Sequence, residues 1–167
     1  MSIQRGVRGF SLIEAMVCCS IAAVLLAAAV PATGRLMERQ REQGEVAQFR
    51  VHVQHARLHA LGNGASVHLR FHESAQGSGY TVHQGPRDGC ALDEAGEVRC
   101  VSDAELLTAE WLPAQRGVRL SANVARMSFD SGGMTVTPTG SVSFVDRDGR
   151  GQRVVVALTG RLRTEAL

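Results

Sequence analysis

Residues 8–30 read RGFSLIEAMVCCSIAAVLLAAAV, and this stretch decides the architecture of the chain. From position 10 onward its 21 residues contain one charged side chain, Glu14, and two serines. A helix rises about 1.5 Å per residue, so a helix of this length spans about 30 Å, the thickness of a bilayer's hydrocarbon core. We therefore predict a transmembrane helix over residues 10–30.

The residues in front of this helix predict its orientation. Arg5 and Arg8 precede it, and positive residues beside a membrane helix stay on the cytoplasmic side. An ordinary secretory signal has its small-residue cleavage site after the apolar stretch, whereas here Gly9 stands directly before it. We therefore expect the rest of the chain to lie across or beyond the membrane.

The chain turns polar after Pro31 but keeps a helical pattern. Apolar residues recur at spacings of three and four, which is one stripe on a helix. The stripe consists of Val46, Phe49, Val53, Ala56 and Ala60. The sequence Gly62-Asn63-Gly64 is a stop signal. We predict an amphipathic extension of the helix over residues 31–62.

From Ser66 onward the apolar residues alternate with polar ones, which is the pattern of strands. Val67, Leu69 and Phe71 alternate with histidines and an arginine. Later β-rich segments are separated by glycine-containing turns, and they cover Tyr80–Gln84, Arg126–Phe129, Met134–Thr137, Val142–Val145 and Arg153–Leu158. Residues 146–151 between the last two are typical of a hairpin loop. We predict an antiparallel β domain over residues 63–167, and hence an α+β fold.

The cysteines form two different pairs. Cys18 and Cys19 are adjacent within the apolar stretch and are interpreted as small hydrophobic residues. Cys90 and Cys100 flank the turn-rich segment CALDEAGEVRC. A metal half-site would need further ligands at suitable spacing, and none is present. A disulfide is favoured if the domain lies outside the cytoplasm, and it would stabilise the fold by about 3 kcal/mol.

The charges are balanced overall but unevenly distributed. The net charge is +2, and all 18 basic residues are arginines. Removing residues 1–9 would leave 16 arginines and 16 acids, so global charge indicates no particular partner. Residues 88–110 hold seven acids, whereas 111–167 hold eight arginines and four acids. The surface is therefore expected to be acidic in the middle of the chain and basic toward its end.

Neither a metal site nor an active site is expected. His52, His55 and His59 share a helical face, and the last two have the spacing of zinc-binding helices, but no HExxH motif is present. A polar flank beside the apolar stripe is the simpler interpretation, and His68 and His72 are likewise placed on the polar side of a strand. No phosphate-binding loop, nucleophile elbow or paired-carboxylate motif occurs, so we expect no enzymatic activity and no cofactor.

The motif RGFSLIEAMV resembles the leader of type IV prepilins and type II secretion pseudopilins. This resemblance implies that a prepilin peptidase cuts after Gly9 and that the new N-terminus, Phe10, is methylated. Glu14 would be the fifth residue of the mature chain, and Pro31 would be the family's proline at mature position 22. An acid in the hydrocarbon region costs a few kcal/mol. In the family its proposed partner is the N-terminal amine of a neighbouring pilin subunit, so Glu14 would act in assembly. The simpler explanation is an ordinary anchor whose Glu14 reaches the cytoplasmic interface.

Two further segments resemble the FimT/GspH group of minor pilins and pseudopilins. They are AQFRVHVQHARLHALGNGASVHLRF (47–71) and VVVALTGRLR (154–163), whereas residues 73–125 carry no resemblance. The group implies a pilin-like fold in which the long helix packs on the β domain. It also implies a role for Gly160-Arg161-Leu162-Arg163, because a GRxR motif is implicated in DNA binding by FimT-like minor pilins.

The arginines near the C-terminus are candidates for binding DNA. Arg161 and Arg163 would point to the same side of an extended segment, as contact with successive phosphates requires. Arg147, Arg150 and Arg153 in the preceding hairpin would widen the patch if the strands pair. The scarcity of aromatic residues favours contact with the phosphates of double-stranded DNA over base stacking. A solvated arginine edge that discourages aggregation is the simpler explanation.

These observations leave three classes of function. The first is a minor pilin in a bacterial inner membrane, incorporated in a type IV pilus near its tip and assisting its assembly or capturing DNA for natural transformation. The second is a GspH-like minor pseudopilin of a type II secretion system. The third is a membrane-anchored β domain with another ligand. The junction Gly9-Phe10 and Glu14 favour the first two, and GRLR favours the first.

Overall fold

The computed structural model describes residues 11–167, without the side chains at 28–36 and 38. Gly9, Phe10 and the whole predicted leader 1–9 lie outside the described residues. The chain divides after Met37 into an N-terminal unit and a second compact unit, Glu38–Leu167.

A single helix, α1, spans Leu12–Asn63 and ends where the sequence predicted a stop. Its first turn contains Glu14. The predicted membrane segment 10–30 lies only partly within the description, because position 10 and the side chains at 28–30 are outside it. Among the residues that the structure describes, no helix is long and apolar enough to cross a membrane.

The second unit contains α1 from Glu38 onward and all the described strands, arranged in three sheets. The strands are β1 Val67–Glu73, β2 Gly77–Gln84, β3 Cys90–Leu92, β4 Val98–Cys100, β5 Glu105–Pro113, β6 Arg119–Ala122, β7 Arg126–Phe129, β8 Val136–Thr137, β9 Gly140–Val145, β10 Gly151–Val156 and β11 Leu162–Ala166. The large sheet has the order β5-β2-β1-β7-β8 and the small sheet has the order β11-β10-β9-β6. Strands β3 and β4 form a separate two-stranded ribbon. All pairs are antiparallel, which confirms the predicted α+β architecture.

The helix packs through the predicted stripe. Val46, Phe49, Val53, Ala56 and Ala60 are all buried in the core. Phe49 contacts both sheets, because its ring centroid lies 5.2 Å from that of Tyr80 on β2 and 5.7 Å from that of Phe144 on β9. The stripe therefore joins the two sheets into one core.

The strand boundaries differ from the sequence prediction where a turn or a pairing partner sets them. Met134–Thr137 yields only Val136–Thr137, because the preceding residues belong to a turn in which Asp130 accepts hydrogen bonds from the N–H groups of Met134 and Thr135. Strand β10 ends at Val156, where a tight turn begins: the N–H of Gly160 donates to the Ala157 carbonyl. The prediction missed β3 to β6, which lie within residues 73–125, the region that carries no resemblance to the group.

The strands β1 and β2 of the large sheet are buried on both faces over most of their length. The helix covers one face, and the segment from Gly85 to Ala104, which contains the ribbon, covers the other. Thr81 donates to the carbonyl of Cys90, and Asp88 of the same segment pairs with Arg126 at 2.6 Å. The side of β1 that the sequence assigned as polar is covered by this segment at His68. This residue is 6% exposed, lies within 2.7 Å of the Ser128 hydroxyl and within 3.2 Å of the Gly85 carbonyl, and has its pKa lowered by burial.

Candidate nucleic-acid interface

The outer face of the small sheet carries two of the arginines that the sequence singled out, Arg153 and Arg163. Along each strand the inward side chains are buried, namely Leu120, Val142, Phe144, Val154 and Val156. Because side chains alternate in a strand, the residues between them point outward. The outer face therefore presents Arg119, Ser121, Ser141, Ser143, Val145, Arg153, Val155, Arg163 and Glu165.

Strand register brings Arg153 and Arg163 close together. Arg163 pairs with Val155 and Arg153 pairs with Glu165, so the two arginines are diagonal neighbours on one face. Diagonal neighbours in an antiparallel pair lie about 7–8 Å apart. Arg163 also forms an ion pair with Glu165, yet its side chain is 73% exposed and retains donors for a ligand.

Arg161 lies at the end of this face, just before β11. It is exposed, and its carbonyl accepts a hydrogen bond from the N–H of Ala157. Gly160 makes the turn possible, because its φ of +70° suits glycine and a Cβ there would lie 3.1 Å from Phe129. The glycine of GRLR is therefore a requirement of the turn that presents Arg161.

Arg57 of α1 supports the same end of the domain. Its Nε donates to the carbonyl of Gly133 at 2.9 Å, and its side chain lies 3.5 Å from the position of a Cβ on Gly160. A basic side chain thus stands beside the turn that leads to Arg161. The sequence contained Arg57 within the resembling segment, but its contact with a loop 76 residues away could not be predicted locally.

Arg147 and Arg150 lie at the opposite end of the small sheet. The strands of the hairpin do pair, but β10 runs from these arginines toward the turn at Gly160. Seven residues separate Arg150 from that turn's first residue, which corresponds to about 23 Å in a strand. Arg147 instead donates to the carbonyl of Gln115. The structure therefore brings together Arg153, Arg161 and Arg163. Arg119 shares the outer face but lies at the Arg150 end of it, because it pairs with Val145, which faces Gly151, and it donates to the carbonyl of Ser74.

The helical histidines have separate partners. Nδ1 of His52 lies 2.7 Å from the Tyr80 hydroxyl, and burial lowers the pKa of His52. His59 contacts the side-chain amide of Asn63 on its own helix. Within residues 11–167, apart from the omitted side chains, no three ligating residues converge on a metal position.

The remaining predicted residues have clear positions. Cys90 and Cys100 form a disulfide at facing positions of β3 and β4, with Cα atoms 4.1 Å apart. This bond closes the ribbon that covers the large sheet. Glu14 is exposed in the single chain, as are all the side chains from residue 11 to residue 27.

These features define a pilin-like protein: an N-terminal helix begins in an apolar segment, and its later half packs on antiparallel sheets. The chain belongs to the family described as Type II transport protein GspH, whose model matches residues 45–160. A prokaryotic N-terminal methylation motif matches residues 4–30. The chain is thus a member of the minor pilin and pseudopilin group, for which N-terminal processing and contact with other pilin subunits are implied.

Two solved structures share the fold. The minor pseudopilin EpsH from the type 2 secretion system of Vibrio cholerae superposes with a TM-score of 0.51 at 15% identity, over 75% of this chain and 96% of EpsH. The type IV minor pilin FimU of Pseudomonas aeruginosa superposes with a TM-score of 0.54 at 15% identity, over 78% of this chain and 95% of FimU. No curated protein sequence matches the chain significantly.

Proposed function

We propose that this chain is a FimT-like minor pilin of a type IV pilus, and that the outer face of the small sheet binds DNA through its phosphates. The observation that carries the proposal is the convergence of Arg153, Arg161 and Arg163 on one exposed strand pair. Guanidinium groups form charge-assisted hydrogen bonds with phosphates. The outward residues of this face include serines but no aromatic residue in the described strands, which favours backbone contact over base stacking.

The expected signature of such binding is its dependence on salt. Three arginines that neutralise three phosphates give a slope of about −2.7 in log K against log salt. Affinity should then fall about 40-fold between 50 and 200 mM salt. Recognition should be independent of base sequence, because phosphates carry no sequence information.

The test is a DNA-binding titration of the full chain in detergent micelles. Double-stranded DNA of mixed sequence is titrated across that salt range, and the double variant Arg153→Ala with Arg163→Ala is compared with the parent. The slope should shrink by about 1.8, because two phosphate contacts are lost. The matched control, Arg87→Ala with Arg99→Ala, removes the same charge from exposed positions that flank Cys90 on the covering segment and should leave the slope unchanged. Equal losses in both double variants would show that only net charge matters and would refute the site.

We further propose that Glu14 acts in filament assembly after peptidase cleavage between Gly9 and Phe10, so that chemistry is done to this chain and none by it. A carboxylate in hydrocarbon is costly until a neighbouring amine pairs with it. Glu14→Gln should therefore leave membrane insertion intact and reduce incorporation into filaments several-fold, measured in sheared pilus fractions. Glu94→Gln, an exposed acid on the ribbon side, is the control. Normal incorporation of Glu14→Gln, or an unmethylated intact N-terminus in the native host, would contradict the proposal.

The second candidate is a GspH-like minor pseudopilin of a type II secretion system. The family description and the likeness to EpsH favour it. A deletion strain discriminates between the two, because loss of surface pili and DNA uptake with normal protein secretion supports the pilus. Loss of secretion with normal pili supports the pseudopilus.

A further inference from the structure

Two buried histidines lie between the large sheet and the segment 85–104 that covers β1 and β2, called here the covering segment. His68 on β1 and His83 on β2 are directly opposed in the strand register, and their ring centroids are 5.6 Å apart. His83 is fully buried and His68 is 6% exposed. The pair lies on the large sheet and takes no part in the DNA face of the small sheet.

Both rings contact the backbone at the start of the covering segment. The two nitrogens of His68 lie 2.7 Å from the Ser128 hydroxyl and 3.2 Å from the carbonyl of Gly85. Nε2 of His83 lies 3.2 Å from the carbonyl of Pro86. In the part of the chain that the structure describes, Nδ1 of His83 is buried without a hydrogen-bond partner. Protonation of His83 would therefore bury an N–H donor that has no acceptor.

The surroundings of the pair disfavour a positive charge on either ring. Burial is the largest influence on both histidines, and it lowers the pKa of each. Arg87 and Arg126 act in the same direction on the β1 histidine, and Arg70 does so on the β2 histidine. Asp88 and the carbonyls of the covering segment act in the opposite direction with less effect. On the β5 side, the residue opposite the β2 histidine is the uncharged Leu106.

The covering segment forms a layer that is separate from the main core. Its buried apolar side chains are Cys90 and Leu92, and neither belongs to the cluster that α1 forms with the two sheets. The ribbon within the segment is closed internally by the disulfide and by the pairing of β3 with β4. Gly96 packs on Trp111 of β5, because a Cβ on Gly96 would overlap the indole ring. The segment can therefore leave the sheet as a unit without opening the core beneath the helix.

We propose that the covering segment is a pH-sensitive lid, which lies on β1 and β2 while His68 and His83 are neutral and leaves them when both become protonated. In the closed state, protonation places two like charges on facing rings beside three arginines. In the open state, water solvates both imidazolium groups. Opening therefore takes up protons, and acid favours the open state.

The expected size of the effect follows from this linkage. For each histidine, the ratio of open to closed molecules rises by up to about tenfold per pH unit below about pH 6.5, until the lowered pKa of the closed state is reached. For the pair, the ratio rises by up to about 100-fold per pH unit.

The test follows the fluorescence of Trp111, the only tryptophan, in the full chain in detergent micelles. As the pH is lowered from 7.5 to 5, opening uncovers the indole, so its emission should shift reversibly to the red and acrylamide should quench it more strongly. Circular dichroism at 222 nm, which follows α1, should stay constant over the same range. Loss of the helical signal together with the fluorescence change would show that the whole domain unfolds, and would overturn the proposal.

The variants His68→Gln and His83→Gln each remove one titrating ring and keep an amide that can donate a hydrogen bond. Each should reduce the rise in the open-to-closed ratio to at most about tenfold per pH unit, and the double variant should abolish it. His72→Gln is the matched control, because the ring of His72 lies 5.9 Å from that of Trp111 and a charged ring there would quench the indole directly. A response that disappears in His72→Gln, or one that persists in the double variant, would contradict the lid.

Asp88→Asn tests the lid without changing a buried residue. The hydrogen bond from Arg126 lowers the pKa of Asp88, so this carboxylate stays charged while the histidines titrate and holds the covering segment on β7. Its removal weakens the closed state and also takes away a negative charge near His68. The fluorescence transition should therefore move to higher pH, and an unchanged or lower transition pH would refute the proposal even if the buried histidine variants fail to fold.

Discussion

Replacing Phe49 with alanine tests whether the helix stripe holds the two sheets together. Phe49 is fully buried and its ring lies near three others, those of Phe71, Tyr80 and Phe144, at centroid distances of 6.3, 5.2 and 5.7 Å. A buried Phe→Ala change costs about 3–5 kcal/mol, through lost transfer free energy and the cavity left behind. The three neighbouring rings belong to separate strands and limit the collapse of that cavity, so we expect the free energy of unfolding to decrease by about 4 kcal/mol.

This free energy corresponds to a large change in melting temperature. The compact unit Glu38–Leu167 has about 130 residues, and unfolding entropy is about 2.1 cal/mol/K per residue. The ratio gives a decrease in Tm of about 15 °C. Thermal unfolding of the full chain in micelles can be followed through Trp111, which is the only tryptophan and lies against β2.

The matched control is Val51→Ala, which truncates an exposed residue on the same helix. Surface changes of this kind usually stay within about 0.5 kcal/mol, so Tm should change by less than about 2 °C. A decrease of less than about 4 °C for Phe49→Ala, or equal decreases for the two variants, would refute the view that this ring joins helix and sheets.

Two other predictions concern the turn before Arg161 and the covered face of the large sheet. Gly160→Ala should lower the free energy of unfolding in urea by about 1–2 kcal/mol, because φ is +70° and the added Cβ would lie close to Phe129. The control Gly44→Ala lies in the helix, where an added Cβ meets no atom within 4 Å, and it should raise the free energy of unfolding by up to about 1 kcal/mol. A larger loss of stability in Gly44→Ala than in Gly160→Ala would contradict the role of Gly160 in the turn. Burial lowers the pKa values of His83 and of its cross-strand neighbour His68, so the folded state favours their neutral forms. The free energy of unfolding should have its full value above about pH 6.5 and should decrease as the pH falls below that value. Urea unfolding at pH 7.5 and at pH 5.5 measures this decrease, which should be smaller in His83→Gln than in the parent. An equal pH dependence in that variant would exclude His83 as the cause.

The pattern-based predictions succeeded where the signal is local. The apolar stripe from Val46 to Ala60 requires only the helical period, and all its predicted residues are buried. Strand β7 matches its predicted bounds because Arg126–Phe129 lies between turn residues. Strands β3 and β4 were missed, since three residues each are too short to show a period and they are held by pairing and by the disulfide.

The candidate interface was predicted in part. Arg161 and Arg163 were identified from a motif and from alternation, and Arg153 joins them through its strand register. Arg147 and Arg150 lie in the loop before β10, and β10 runs away from them toward the turn at Gly160, so they lie at the opposite end of that strand from Arg161. The identity of the edge strands had no signal in the sequence, because it depends on which strands pair.

By itself, the sequence determined the apolar start, the helix and its buried stripe, the existence of an antiparallel domain and the cysteine pair, because each depends on residues within a few turns or one short loop. Only the tertiary structure decided that β1 and β2 are covered on both faces, which arginines share a surface and which strands lie at the sheet edges. These properties arise from contacts between residues far apart in the chain, and side-chain periodicity contains no information about which strand pairs with which.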